Sequence, residues 1–358
     1  MIPRIRAMMV AVMRDPWLYD PNRWPCLTRD VPGTGGFLRT ELEDFQVDEV
    51  PLGPPAGEGA HAVVRVRKVD RTTQQVVEAL REALDLPRDV IGHAGLKDRR
   101  AITTQWLSLP LEALPSREAW PALPGAELLD WALHDRKLRP GDLTGNRFAI
   151  RVRGALGQHE RAAAILEELA ARGVPNYFGP QRFGKLGDNA REGLAFLRLG
   201  RKPRRWLDEL RAQALQSWIF NDWVARRLAD GTFDTVLTGD VAEKHATGGK
   251  FLVGDAQVEA PRAGRFEISA TGPLLGRKYH EAAGPARGVE DAVLAAVGLA
   301  RDLFRPLPGS RRSLRLVPRD VEVEETEDGY WVRFFLPPGA YATAVVRELT
   351  KACVEAEP

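Results

Sequence analysis

An α+β fold in which one domain interrupts another is what this 358-residue sequence predicts, and three observations carry the prediction. Strand-like and helical stretches alternate through the first half, without repeats or low-complexity tracts. A hairpin signal near the C-terminus needs a sheet to join, and its best partners lie in the N-terminal half. The section from 173 to 318 differs from both flanks, helix-rich first and then Gly-rich, as in Thr247-Gly248-Gly249 and Ala270-Thr271-Gly272-Pro273. The chain length also suits two domains. The expected organisation is an N-terminal extension over 1–30, a first part of the sheet domain over 31–172, an inserted domain over 173–318, and the rest of the sheet domain over 319–358.

His61 to Lys68 reads as a strand whose second half alternates in exposure. Thr72 or Thr73 can cap a helix running to Leu86, where Pro87 stops it. Ala101 to Leu109 is β-branched and aromatic, hence a strand. Asn146 to Arg153 alternates cleanly, with Phe148, Ile150 and Val152 on one face and Arg147, Arg151 and Arg153 on the other. Glu160 to Arg172 is a helix that Gly173 and Pro175 end. A long helix spans Arg204 to Asp230, with Trp206, Leu210, Ala214, Trp218 and Asp222-Trp223 expected on one buried stripe. Asp320 to Glu325 and Tyr330 to Leu336 flank the turn Glu327-Asp328-Gly329, and a last helix covers Tyr341 to Glu355.

Composition narrows the class. Hydrophobic residues are 44% and charged residues 28%, as in ordinary globular proteins. No apolar run approaches the length of a membrane helix, so no membrane association is expected. Cys26 and Cys353 lie at opposite ends and the six histidines are scattered, so a reduced, cytoplasmic protein without a structural metal is expected. The stretch Ala7 to Val12 after Arg4 and Arg6 is too short for a signal peptide, and Arg14-Asp15-Pro16 stands where a cleavage site would be. All four methionines fall within residues 1 to 13, which makes Met13 an alternative first residue. Phosphate-loop, dinucleotide, nucleophile-elbow and zinc-protease motifs are all missing. Net charge is only +2, yet three segments are locally basic. Segment 134–153 carries six cations against two carboxylates, 301–319 carries six against one, and 201–205 is Arg-Lys-Pro-Arg-Arg. Any one of these reads as a solvated face. Three together suggest the segregated charge of a polyanion binder.

The most unusual chemistry is Gly92-His93-Ala94-Gly95-Leu96-Lys97-Asp98-Arg99-Arg100. One carboxylate stands among three cations in a Gly-punctuated loop that runs into a strand. Adjacent cations favour an ionised Asp98, available as nucleophile or base. By composition alone a surface ion pair is the commoner explanation.

The string from His93 to Gln105 resembles the catalytic motif of the TruD family of tRNA pseudouridine synthases, and six further motifs follow the family in order. They are Glu43-Asp44-Phe45-Gln46-Val47-Asp48-Glu49, His134 to Phe148 with its Gly145-Asn146-Arg147-Phe148, Asn176 to Gly184, Ala270 to Gly276, Arg311 to Arg315, and Phe335 to Thr343. The resemblance extends from about residue 35 to 351, with Pro180 where an acidic residue is common and Ala340 where a small polar one is.

The resemblance implies a pseudouridine-synthase catalytic domain with a mixed, largely antiparallel sheet, interrupted by an inserted α/β TruD domain. It implies isomerisation of the uridine at position 13 of tRNA, with Asp98 as the catalytic carboxylate in a dry pocket. Attack on sugar or base and proton removal at C2′ remain open as routes. Phe148 would stack on the base, Asn146 would hydrogen-bond the base or Asp98, and Lys97, Arg99 and Gln105 would serve as pocket or phosphate partners. The expected partner is tRNA in a basic interdomain cleft of a monomeric protein, with no metal, nucleotide or other cofactor. A relative of the same fold that binds RNA without catalysis is the alternative. A carboxylate-pair hydrolase would need a second acid beside Asp98, where the loop supplies cations.

Overall fold

The computed structural model describes residues 15–116 and 119–351; Met13, Cys353 and the expected helix beyond Lys351 lie outside the described residues. In chain order the elements are β1 (Phe45–Pro51), β2 (His61–Val69), α1 (Thr73–Ala83), β3 (Gly92–His93), β4 (Ile102–Pro110), β5 (Ala126–His134), β6 (Leu143–Arg153), α2 (His159–Arg172) and β7 (Val174–Pro175). Next come α3 (Pro180–Phe183), α4 (Asn189–Arg198), α5 (Trp206–Ala229), β8 (Val241–Lys244), β9 (Lys250–Leu252), α6 (Ala256–Gly264), β10 (Ile268–Leu274) and α7 (Gly284–Ala296). The chain closes with β11 (Ser310–Ser313), β12 (Arg315–Leu316), β13 (Arg319–Thr326), β14 (Gly329–Leu336) and α8 (Ala342–Thr350).

Two compact units result. One holds Cys26–Asn176, Pro261–Ser269 and the chain from Leu314 onward; the other holds the segment ending at Pro25, Tyr177–Ala260 and Ala270–Ser313. The first unit is built on an eight-stranded sheet of order β13-β14-β6-β1-β4-β2-β5, with β3 added beside β4. Only β1 and β4 run parallel, so the sheet is mixed and largely antiparallel. Alternation along the strands puts Val64, Val66 and Lys68 of β2 on the buried face and leaves Arg65 and Arg67 exposed. The C-terminal hairpin joins this sheet through β14 and β6, Phe334 opposite Phe148.

Helices cover that face in two patches. Thr72 and Gln75 cap α1 reciprocally, and its Val76 and Leu80 pack on Val64, Val66 and Leu107. The helix ends at Ala83, three residues before the expected Leu86. Asp85 adopts φ +49° there, and the Leu86 amide returns to the Arg81 carbonyl at 2.9 Å. Over the other half, α2 and α8 bury Ile165, Leu169, Val345 and Leu349 against Ile150, Val152 and Val332. Gly173 closes α2 at φ +87°, and a Cβ there would lie 2.9 Å from the Arg315 side chain. That clearance lets β7 and β12 pair antiparallel, so the chain leaves the sheet unit beside where it returns.

The second unit combines α4, α5 and α7 with a four-stranded sheet of order β11-β10-β8-β9. Trp24 donates to Asp222 at 2.7 Å and stacks on Phe183, which ties residues 15–25 to this unit. Burial on α5 begins at Ala212 and includes Ala214, Trp218 and Trp223. Trp206 departs from the expected stripe: it stands on the first turn, ahead of the packed part of the helix, and is 75% exposed.

Candidate active site

Strand register explains why the nominated residues meet. Along β1, β4 and β6, alternation places Val47 and Glu49, Thr103 and Gln105, and Asn146 and Phe148 on the helix-covered face. Asn146 stands opposite Glu49 and Phe148 opposite Val47, while Thr103 stands beside Val47 on β1 and opposite Lys68 on β2. The two apolar clusters leave Glu49, Lys68, Thr103, Gln105 and Asn146 out, so a polar strip crosses the sheet between α1 and the α2–α8 patch. The loop joining β3 to β4 carries Lys97, Asp98 and Arg99, and its anchors lie in this strip.

Each part of that loop is tied down. The Lys97 amide donates to Thr73 Oγ1 at 2.9 Å, and that hydroxyl donates to Gln105 Oε1 at 2.7 Å. Lys97 Nζ is buried against Glu49 Oε2 at 2.5 Å, and Glu49 Oε1 accepts the Trp106 amide at 3.1 Å. The Trp106 bond fills the stretch of β4 edge between its pairing with β1 and its pairing with β3. Lys68 Nζ donates to the Asp98 carbonyl at 2.6 Å. Burial pulls the Lys68 ammonium down to about 8, partly opposed by the negative charge of Asp98. Burial likewise lowers the pKa of His93, which favours a neutral imidazole.

The Asp98 carboxylate accepts from Arg39 Nη2 at 2.7 Å and is 49% exposed. The Arg39 guanidinium lies over the Phe45 ring, 4.0 Å from its centroid. Phe45 meets Phe148 edge-on at 6.3 Å, and Phe148 stacks on Phe334 at 5.5 Å. Contacts therefore run unbroken from Asp98 to Phe148. Gly145 precedes Asn146 because a Cβ there would sit 2.2 Å from the Leu336 carbonyl on β14. Three enclosed polar atoms on this face, Gln105 Nε2, Asn146 Oδ1 and Thr103 Oγ1, have no hydrogen-bond partner among the described residues. The site thus gathers a half-exposed carboxylate held by a guanidinium, a run of aromatic rings reaching Phe148, and three enclosed polar atoms without a partner among the described residues.

The family model described as tRNA pseudouridine synthase D (TruD) matches residues 24–202 and 195–349. A tRNA pseudouridine synthase D of Thermus thermophilus is 49% identical over 346 residues, spanning 95% of this chain and 97% of its own. One from Anaeromyxobacter dehalogenans is 46% identical over 342 residues, spanning 92% and 97%. The chain belongs to the TruD family. A crystal structure named for TruD from Methanosarcina mazei shares the fold at TM-score 0.73 and 24% identity, covering 90% of this chain and 95% of that one.

Within this TruD fold the nominated residues stand in different conditions. Asp98 is half exposed, so the dry pocket expected for it is not closed by the protein alone. Lys97 is buried on Glu49 and not presented to a phosphate. Arg99 is exposed, 3.2 Å from Asp70. Phe148 is 9% exposed, and Asn146 Oδ1 holds no group of Asp98. Arg39, Lys68 and Thr73 were not among the nominated residues. Lys68 did leave a signal, because it falls in phase with the buried Val64 and Val66; Arg39 left none. In two of the three basic segments most cations are paired within the protein. Arg136, Arg147, Arg151 and Arg153 pair with Asp142, Asp320, Asp328 and Asp44, while Arg301 and Arg311 converge on Glu290.

Proposed function

We propose that this TruD-family protein isomerises uridine to pseudouridine in tRNA, at position 13, with Asp98 as the reacting carboxylate. The observation that carries the reading is the Asp98 carboxylate itself: pinned by Arg39 at 2.7 Å, anchored through its carbonyl by Lys68, and linked by Phe45 to Phe148. In the reaction the N1–C1′ bond breaks, the uracil turns, and C5 bonds to C1′. C5 then gives up a proton as N1 gains one, so no atom is added or lost. Asp98 supplies the electron pair or accepts the proton that starts this sequence. The flipped nucleotide covers the exposed side of Asp98 and excludes the water the free protein admits there. Phe148 forms the floor for the uracil. Asn146 Oδ1 and Gln105 Nε2, which have no partner among the described residues, would accept from its imide N–H and donate to a carbonyl.

The test is incubation with unmodified tRNA bearing uridine at position 13, with carbodiimide labelling and primer extension to locate the product. Wild type is expected to yield one pseudouridine at that position. Asp98→Asn and Asp98→Ala are expected to lower the rate by about 10³-fold or more. Product from the variants at wild-type rate would remove Asp98 from the chemistry. Tight tRNA binding without product from wild type would favour the non-catalytic relative.

A further inference from the structure

The third basic segment differs from the other two. The side chains of Arg201, Lys202, Arg204 and Arg205 are exposed and have no ion-pair or hydrogen-bond partner among the described residues. With Phe196 and Leu199 they line an open depression of about 760 Å³ between the end of α4 and the start of α5. Asp208 is the one carboxylate in its wall. Trp206, next in sequence to Arg205 and 75% exposed, stands on the first turn of a 24-residue helix, which holds its backbone in place. Elsewhere in the same unit, Arg227, Arg301 and Arg311 each bond a carboxylate, and Trp218 and Trp223 are buried. Four unneutralised cations beside one presented indole are a costly combination for a surface with nothing to hold.

The geometry points to a binding site for single-stranded RNA here, with phosphates on the four cations and an unpaired base stacked on Trp206. A track of cations with an interleaved aromatic ring is how single strands are held without sequence readout. A paired helix offers this indole no free base face, whereas an unpaired strand brings phosphates to the cations and bases to the indole together. The inference deepens the reading of the chain as a tRNA-modifying enzyme by giving the substrate a second point of attachment.

The probe is a fluorescent single-stranded RNA of about 12 nucleotides, titrated by anisotropy at several salt concentrations. Trp206→Ala is expected to weaken binding about tenfold and Trp206→Phe to restore most of it. Replacing all four cations with alanine should flatten the dependence of log K on log salt by about 2 to 3. Every altered side chain is exposed, so unchanged melting temperatures would show that the fold is intact. Binding within twofold of wild type in both the Trp206→Ala and the four-cation variants overturns the site. So does a loss confined to the four-cation variant, which would mark a polyanion or acidic-protein surface without base stacking. Because the probe is an oligonucleotide and the readout is binding, the result is independent of pseudouridine formation. Absence of product from tRNA would overturn the catalytic reading and leave this site standing.

Discussion

At Asp98 the deciding contact is with Arg39, a residue at φ +54° whose backbone carbonyl is itself gripped by Arg100 at 3.2 Å. The strained backbone and the Phe45 ring together fix where the guanidinium points. Replacing Arg39 with alanine should slow single-turnover pseudouridine formation about 10- to 100-fold, the worth of one charge-assisted hydrogen bond. Arg39→Lys should retain part of the rate, and an unchanged rate in the alanine variant would show the contact to be idle. Lys68 makes a second residue-scale prediction. Its folded pKa of about 8 lies below the 10.5 of an exposed lysine, so between those values the unfolded chain holds a proton the folded one has released. Stability from this group therefore rises with pH across that window, and the full cost of burying its charge is present below it. Urea unfolding at pH 8 and pH 10 should show wild type gaining about 2 kcal/mol over Lys68→Met. Parallel behaviour would mean that Lys68 titrates like a surface lysine.

At the scale of elements, the loop from β3 to β4 is held as much by its neighbours as by itself. Glu49 joins β1 to the loop through Lys97 and to β4 through the Trp106 amide. Glu49→Ala leaves a buried ammonium unpaired and should cost about 3–5 kcal/mol of stability by chemical unfolding. Adding Lys97→Met should recover part of that loss, and a second cost of equal size would contradict the pairing. The sequence states the strands clearly because each buried face alternates, as Phe148, Ile150 and Val152 do. It also names the loop, since Asp98 stands among cations between glycines. Side chains on separate elements are harder to bring together on paper. Arg39 lies 59 residues from Asp98, and nothing local in either segment implies their contact. Helix ends fail for a related reason: periodicity carries α1 to Leu86, whereas a single left-handed residue, Asp85, stops it. Trp206 fits the periodic stripe of α5, but it stands 75% exposed on the first turn, before the first buried residue, Ala212.

Across the whole molecule, a net charge of +2 conceals an uneven use of arginine. Segment 301–319 counts six cations against one carboxylate, yet Arg311 and Arg315 are buried and bond backbone carbonyls and neighbouring side chains. Linear charge counting does not separate cations that assemble a core from cations left for a ligand. Pairing does, and it singles out 201–205 among the three. The interruption of one unit by another was legible from the change in composition and from a hairpin without a nearby sheet. The pairing of β7 with β12 was not, because those strands are two residues each. The central claim, uridine isomerisation by the Asp98 carboxylate, is tested most directly by tritium release from tRNA labelled at C5 of uridine, since every route must break that C5–H bond. Wild type should release tritium equivalent to one uridine per tRNA, and Asp98→Asn should release none above background. Release by Asp98→Asn at the wild-type rate, or none from wild type on tRNA that it binds, would contradict the account.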